Sequence, residues 1–167
     1  VKTKQIKKYD AQRWLEFYRS GLRYILDLNR DGRRFFEFYT LLLLKRMMTD
    51  KAIGYVDLRS PAGIGLGALV YNYDGKVFAS DEGRMLAEMG DKTFELGHVG
   101  DATYRSLIMS DKLVGLIGSS LSQCAPECHS CAYESHCGAD PVYHHATQGD
   151  ALGIKPLSGF CTRQKGV

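Results

Sequence analysis

The sequence predicts an α+β fold with N-terminal helices, a central β-hairpin, short helices and a loop-rich C-terminal segment. Three observations predict it. Apolar residues recur every three or four positions through the first 49 residues. An Asp-Gly pair at 74–75 joins two alternating segments. All five cysteines fall in the last 44 residues, which glycine and proline interrupt repeatedly. With 44% hydrophobic residues, the 167-residue chain has enough apolar material for a packed core.

The N-terminal part is predicted to form two helices. Residues 10–29 carry apolar side chains at helical spacing, and Asp10 is a suitable N-cap. Asn29–Gly32 is typical of a turn. Residues 33–49 follow as a second helix that is apolar around most of its circumference, so we expect it to be largely buried.

A hairpin is predicted next, from residues 68–73 and 76–80, with positive φ at both Asp74 and Gly75. Beyond it the pattern indicates a short helix at 84–89, an extended loop at 94–99, and helices at 102–109 and 112–121. The glycines at 63, 65 and 67 precede a strand rather than open a helix, which excludes a dinucleotide-binding loop.

Charge is unevenly distributed along the chain. Residues 1–51 hold 13 Lys and Arg against 6 Asp and Glu, whereas residues 52–167 hold 9 against 13. No nucleic-acid-binding motif accompanies the basic half, so we expect a solvated or docking face rather than a nucleic-acid site. No apolar run could span a membrane, and residues 1–8 lack the apolar part of a signal peptide. These features favour the reducing cytoplasm, where clustered cysteines bind metal more often than they form disulfides.

Four cysteines lie in one 14-residue run, which can be divided in two ways. One frame is Cys124-x3-Cys128-x2-Cys131. The other is Cys128-x2-Cys131-x5-Cys137, followed by Cys161 after 23 intervening residues. Thiolates select zinc or iron–sulfur clusters. Zinc held by Cys128, Cys131, Cys137 and either Cys161 or a nearby histidine is chemically possible, although zinc ribbons have two CxxC knuckles and this chain has one. The histidines concerned are His129, His136, His144 and His145.

The first frame has the spacing of a radical-SAM cluster, yet its surroundings do not suit one. Only 36 residues follow Cys131, Ser130 stands where an aromatic residue is usual, and no strand–helix series for a barrel is present. We therefore treat Cys124 as a spare thiol and an alternative ligand.

The second frame resembles the second auxiliary [4Fe–4S] cluster of SPASM domains, the C-terminal extensions of radical-SAM enzymes that modify peptides. Tyr73–Ser80 resembles the hairpin of that family, and Leu96–Val99 its L-G-N-[IV] loop. Four stretches are similar, more narrowly, to the C-terminal part of the His-Xaa-Ser system radical SAM maturase. They are residues 57–65, 71–75, 80–91 and 137–150.

One departure from the SPASM pattern is informative. The family's first auxiliary cluster uses cysteines at positions that here hold Ser80 and Pro141, and no cysteine precedes Cys124. The resemblance therefore implies a single auxiliary cluster, with Cys128, Cys131, Cys137 and Cys161 as its ligands.

The resemblance also implies a division of the chain and a parent enzyme. Residues 1–54 would be the barrel-side helical segment and residues 55–167 the SPASM-like domain. The parent's barrel would bind S-adenosylmethionine and generate a radical that acts on a peptide or protein substrate. This chain lacks that barrel, its expected partner, so we assign no catalytic residue and expect no activity from it alone. The alternative is a small zinc-stabilised binding module with a basic helical arm for nucleic acid or protein.

Two further groups receive weaker expectations. Asp81, Glu82 and Arg84 follow the hairpin and are expected in a solvated loop, with contact to a peptide as the alternative. His144 and His145 are expected to be a surface or packing pair rather than part of the metal site.

The two cysteine frames predict opposite results for two variants. Cys161→Ala should release the metal, because the site loses a ligand, whereas Cys124→Ala should retain it. Metal analysis after desalting measures both. Retention by Cys161→Ala together with release from Cys124→Ala would show that the ligands belong to the other frame.

Overall fold

The α+β architecture is confirmed in the computed structural model, which describes residues 10–167. The basic residues 1–8 lie outside this described part. Seven α-helices and three strands follow in order: α1 Ala11–Arg30, α2 Phe38–Met48, β1 Val70–Tyr71, β2 Lys76–Phe78, α3 Asp81–Glu88, β3 Glu95–His98, α4 Tyr104–Ile108, α5 Asp111–Ser120, α6 Pro141–Gln148 and α7 Gly159–Gly166. Short 3₁₀ turns lie at Val56–Leu58, Ser122–Cys124, Glu134–His136 and Lys155–Leu157. Within residues 10–167 no helix combines the length and hydropathy needed to cross a bilayer.

Capping side chains set where α1 and α2 begin. Asp10 caps α1 as predicted, its carboxylate accepting from the Gln12 amide (3.2 Å). The second helix begins five residues later than predicted. The Asn29 side chain holds Phe35 in a loop through two 2.8 Å hydrogen bonds, and the Glu37 carboxylate then caps α2. Local capping outweighs apolar periodicity at this start.

The prediction that the second helix is largely buried is wrong for this chain. Only Leu42 of α2 is buried, and Met48 is 78% exposed. Leu41, Leu44 and Met47 are also exposed. Leu44 and Met47 border a groove that α2 forms with α1 and the C-terminal residues 164–167, so the described residues cover this apolar surface only in part.

The hairpin lies where predicted but turns differently. Its strands pair Val70 with Phe78 and Tyr71 with Val77. Only Gly75 has positive φ (+81°), and the Asn72 carbonyl accepts from the Gly75 amide at 3.0 Å. This is a type I turn followed by a left-handed glycine, the three-residue hairpin loop, rather than a turn with two positive φ values.

The loop predicted at 94–99 contains a third strand, β3. It pairs antiparallel with β2, which makes a three-stranded sheet in the order β1-β2-β3. Behind this sheet, α3, α5 and α6 bury a core whose members are Ile64, Ala79, Phe94, Leu113, Leu116 and Val142. A Cβ at Gly83 of α3 would lie 2.5 Å from the Cβ of Phe94, so glycine allows the close approach of helix and core.

The two positions that hold cysteines in SPASM domains begin helices here. Ser80 is the N-cap of α3, and its hydroxyl accepts from the Gly83 amide at 3.1 Å. Pro141 is fully buried in the first turn of α6, where proline has no hydrogen bond to lose.

The tail contains more regular structure than expected, since α6 and α7 both lie beyond Cys124. The helix α7 packs on α1. Arg19 donates to the Gly166 carbonyl (2.9 Å), and the Tyr39 hydroxyl donates to Gln164 (3.0 Å). These contacts join the N-terminal helices to the cysteine-bearing end of the chain.

A matched pair of phenylalanines tests this core. Phe94→Ala should cost about 3–5 kcal/mol of unfolding free energy, because its fully buried ring would leave a cavity. Phe36→Ala, at a side chain 73% exposed, should change stability by less than about 0.5 kcal/mol. Urea denaturation of both variants gives the comparison, and equal losses would mean that the core is misassigned.

Candidate metal centre

A series of three-residue turns presents three of the predicted ligands. The amide of Cys128 donates to the Ala125 carbonyl, that of Cys131 to Cys128, that of Glu134 to Cys131, and that of Cys137 to Glu134, at 2.9–3.1 Å. Residues repeating every third position lie on one side of such a turn series. The x2 and x5 spacings place Cys128, Cys131 and Cys137 at multiples of three positions, which keeps them on one side of the turn series. Cys124 lies four positions before Cys128 and does not share this spacing.

The fourth predicted ligand is positioned by a helix start. Cys161 lies in the first turn of α7, and its amide donates to the N-cap hydroxyl of Ser158 at 3.1 Å. The Ser158 hydroxyl in turn donates to the Lys155 carbonyl at 2.6 Å. Capping thus fixes the place of Cys161 relative to the loop before it.

These four thiols line one cavity. Cys128, Cys131, Cys137 and Cys161 all contribute to its wall, together with Glu134. Cys124 does not line this cavity; it is exposed, in an adjoining depression that shares Cys128 and Lys155 with the cavity. The fold therefore brings together the thiols of the second frame.

The thiols affect one another electrostatically, which is consistent with their closeness. Burial, and to a smaller extent the neighbouring thiols Cys161, Cys128 and Cys131, raises the pKa of Cys137 to about 12. Burial also raises the pKa of Cys128 and of Cys161. Lys155 opposes the shift at Cys128 by favouring its thiolate.

Two buried nitrogen-bearing side chains share the cavity. The ring of His144 is fully buried, and its Nδ1 lies 2.7 Å from the Asp140 carbonyl oxygen. A carbonyl only accepts, so Nδ1 carries the proton and Nε2 of the neutral ring has a free lone pair. Nε2 is buried and has no hydrogen-bond partner among the described residues. Burial lowers the pKa of His144, which favours the neutral ring. Lys155 is the second of these side chains.

The donor set suits a thiolate-bound metal group. All five cysteines are free thiols, and the four in the cavity supply the soft ligands that iron–sulfur clusters require. The cavity that they line has a volume of about 30 Å³. Within residues 10–167 no three such side chains converge on a single-ion position as they stand.

The other polar residues singled out in the sequence have structural contacts. Asp81 and Glu82 lie in the first turn of α3 rather than in a loop, and Asp81 pairs with Arg84 at 3.0 Å. His145 lies 2.6 Å from the Asp91 carboxylate. His145 therefore makes a structural contact, as expected. His144 does not fit that expectation fully, because it is buried and lines the thiol cavity.

Sequence reasoning missed Lys155, Ser158 and Glu134. Two of them carried a readable signal. Ser158 stands three positions before Cys161, which is the spacing of an N-cap, and Glu134 falls in the three-residue register of the cysteines. Lys155 carried none, since its burial depends on distant residues.

Comparison with known proteins identifies the fold. The sequence matches no protein-family model and no curated protein. Two solved structures of anSMEcpe, a SPASM/radical SAM maturase, match at the level of structure. The one titled native anSMEcpe with bound AdoMet has a TM-score of 0.68 and 19% identity over 99% of this chain.

The chain shares the fold of the matched part of anSMEcpe, which is 42% of that protein's chain. The second structure, with bound AdoMet and Kp18Cys peptide, gives a TM-score of 0.64 and 18% identity over 98% of the chain. The chain spans 42% of the length of both. The SPASM-like resemblance read from the sequence is confirmed at the level of fold.

Burial predicts an order of thiol reactivity in the reduced, metal-free protein. Iodoacetamide should alkylate the exposed Cys124 first and Cys137 last, since only thiolates react and the pKa of Cys137 is about 12. The Cys137 rate should keep rising with pH up to about 12. Peptide mass spectrometry measures each site, and urea should abolish the difference. Faster alkylation of Cys137 than of Cys124 in the folded protein would contradict the arrangement.

Proposed function

We propose that this chain is the auxiliary-cluster part of a radical SAM peptide-modifying maturase, of the His-Xaa-Ser system type. In this proposal residues 55–167 form a SPASM-like domain with one [4Fe–4S] cluster, and residues 1–54 form the helical segment next to the barrel.

One observation carries the proposal. Cys128, Cys131, Cys137 and Cys161 line a single cavity, while Cys124 lies outside it. This division coincides with the SPASM ligand frame, in a chain whose fold matches a maturase along 99% of its length. Two independent properties, ligand spacing and overall fold, thus support the same family of functions.

The protein residues would have two tasks at such a site. The turn series and the Ser158 cap hold the thiols around one cavity. Phe160 and Ala139, which line the same cavity, limit contact with water. When bound, a four-thiolate cluster supplies a structural cross-link and one-electron chemistry. With every iron held by cysteine it offers no position for S-adenosylmethionine, which would bind only in the barrel of the full-length enzyme.

The helical segment fits the same proposal. The exposed apolar face of α2, with Leu41, Leu44, Met47 and Met48, is of the kind that packs on another part of a protein. The matching structures are more than twice as long as this chain. We assign this face to contact with the maturase's barrel, which would be the main partner of the chain. One of the matching structures contains a peptide, which supports a peptide as the substrate class.

Anaerobic reconstitution with iron and sulfide tests the cluster. The wild-type chain should turn brown and retain about four iron and four sulfide per chain. Cys128→Ala and Cys161→Ala should lose both, while Cys124→Ala, the matched control, should behave as wild type. Spectra and metal analysis after desalting provide the measurement.

A binding measurement separates this role from that of a complete enzyme. Isothermal titration of the reconstituted chain with S-adenosylmethionine should show no binding. Tight binding would overturn the view that the chain is only an auxiliary part. A colourless, iron-free wild-type protein after reconstitution would overturn the cluster assignment.

His144 favours a second candidate, a zinc-stabilised binding module with a basic arm for nucleic acid or protein. A zinc-ligating histidine commonly donates its other N–H to a backbone carbonyl, as Nδ1 of His144 does to Asp140. Its unpartnered Nε2 lies at the wall of the thiol cavity. Zinc bound with His144 in place of one cysteine would give a colourless protein.

His144→Ala distinguishes the two candidates. Under the cluster assignment this variant retains iron and sulfide, because the four thiols remain. Under the zinc assignment it loses zinc at least tenfold more readily to a chelator. Zinc retained by wild type and lost by His144→Ala, with no iron uptake by either, would favour the second candidate.

A further inference from the structure

We infer that Lys155 is the built-in counter-cation of the thiol cavity, and that its charge raises the reduction potential of the group bound there. The inference rests on the cluster proposed above and assigns a role to a residue outside the cysteine motif.

The burial of Lys155 is unusual for its type. Its side chain is 4% exposed, while Lys and Arg are almost never fully buried unless they are paired. None of the ion pairs among the described side chains includes it. Burying an ammonium away from a counter-ion is costly, so its place in the core calls for a negative partner.

The hydrogen bonds of Lys155 leave one donor free. Nζ donates to the carbonyl of Ser119 at 2.9 Å and to that of Leu152 at 2.8 Å. An ammonium has three donors, and backbone carbonyls neutralise none of its charge. Two hydrogen bonds to carbonyls therefore fix Lys155, and its third N–H makes no hydrogen bond to the described residues.

The available charge acts on the thiols. Lys155 lines the cavity with the four cysteines, and its charge interacts with Cys128, with the carboxylate of Asp150 and with Cys137. Asp150 lies beyond ion-pair distance and does not line the cavity, so the thiols are the acidic groups that share the cavity wall with Lys155. A four-thiolate cluster carries net negative charge, and one-electron reduction adds another unit. A nearby buried cation stabilises the more negative state by more, because charges interact strongly where water is excluded. The reduced form is therefore favoured, which is a more positive potential.

The hydroxyl of Ser158 fixes the position of Lys155 relative to Cys161. The Lys155 carbonyl accepts from the Ser158 hydroxyl, which also caps the helix that carries Cys161. Lys155 is accordingly a positioning and tuning residue, and it is not a ligand.

Lys165 offers a matched control. It also borders the cavity and favours the thiolate of Cys161, but it is exposed to water. Lys155→Met and Lys165→Met remove the same charge from the same site, one from the interior and one from the surface. Screening by water makes the surface charge the weaker of the two.

The experiment is a redox titration, followed by electron paramagnetic resonance, of the reconstituted wild type and both variants. Lys155→Met should lower the equilibrium constant for reduction at least tenfold, a shift of about 59 mV to more negative potential for one electron. Lys165→Met should shift it by less than a third of that. Lys155→Gln, which can still donate to both carbonyls, keeps the test valid if the methionine variant fails to fold, and it should shift in the same direction.

The outcomes separate the two proposals. Equal potentials for wild type and the Lys155 variants, or a shift to more positive potential, would overturn the role of Lys155 while the cluster assignment stands. Absence of iron and sulfide from the wild type would overturn the cluster assignment. It would also overturn the role of Lys155, because no negatively charged cluster would be present for its charge to stabilise. A larger shift in Lys165→Met than in the Lys155 variants would assign the role to the surface residue instead.

Discussion

One buried hydroxyl, that of Ser158, connects the parts on which the candidate site depends. It accepts from the amide of Cys161 and donates to the carbonyl of Lys155, so a ligand and a cation are held by the same atom. The helix that it caps, α7, packs on α1 and contributes Cys161 to the cavity. The N-terminal helices and the cysteine turns, about 100 residues apart in sequence, are therefore coupled through eight residues of helix. A movement of α7 would therefore change both the position of Cys161 in the cavity and the packing of α7 on α1.

The features that the sequence predicts well are local ones. Asp10 caps α1, the hairpin lies around Asp74 and Gly75, and the second cysteine frame faces one cavity. Each depends on residues within a few positions, or on a spacing that repeated turns preserve. The features missed depend on the rest of the chain. The apolar circumference of α2 indicates burial only if other elements cover it on every side, and within residues 10–167 Leu42 is the only buried residue of this helix. Lys155 looks like a surface lysine until the carbonyls of Ser119 and Leu152 are brought beside it.

In the metal-free state the cavity favours protons over charge. Burial and mutual repulsion hold the pKa of Cys137 at about 12, so its thiol is neutral near pH 7. A metal bound at the proposed site would have to displace that proton, and the thiolates would then repel one another less because the metal would lie between them. The same coupling links loading to order in the tail, where short turns rather than a large apolar surface hold the chain.

The helix starts at Ser80 and Pro141 bear on which residues these two positions can accept. In the family that this chain resembles, both positions hold ligands; here a hydroxyl closes the first turn of α3 and a buried proline ring begins α6. Once these residues contribute to folding, returning cysteine to either place removes a helix cap or a packed ring before any metal is gained. Helix capping and packing therefore oppose cysteine at both positions. An additional cluster ligated there would need several compensating changes at once, so ordinary folding energetics limit which residues these two positions accept.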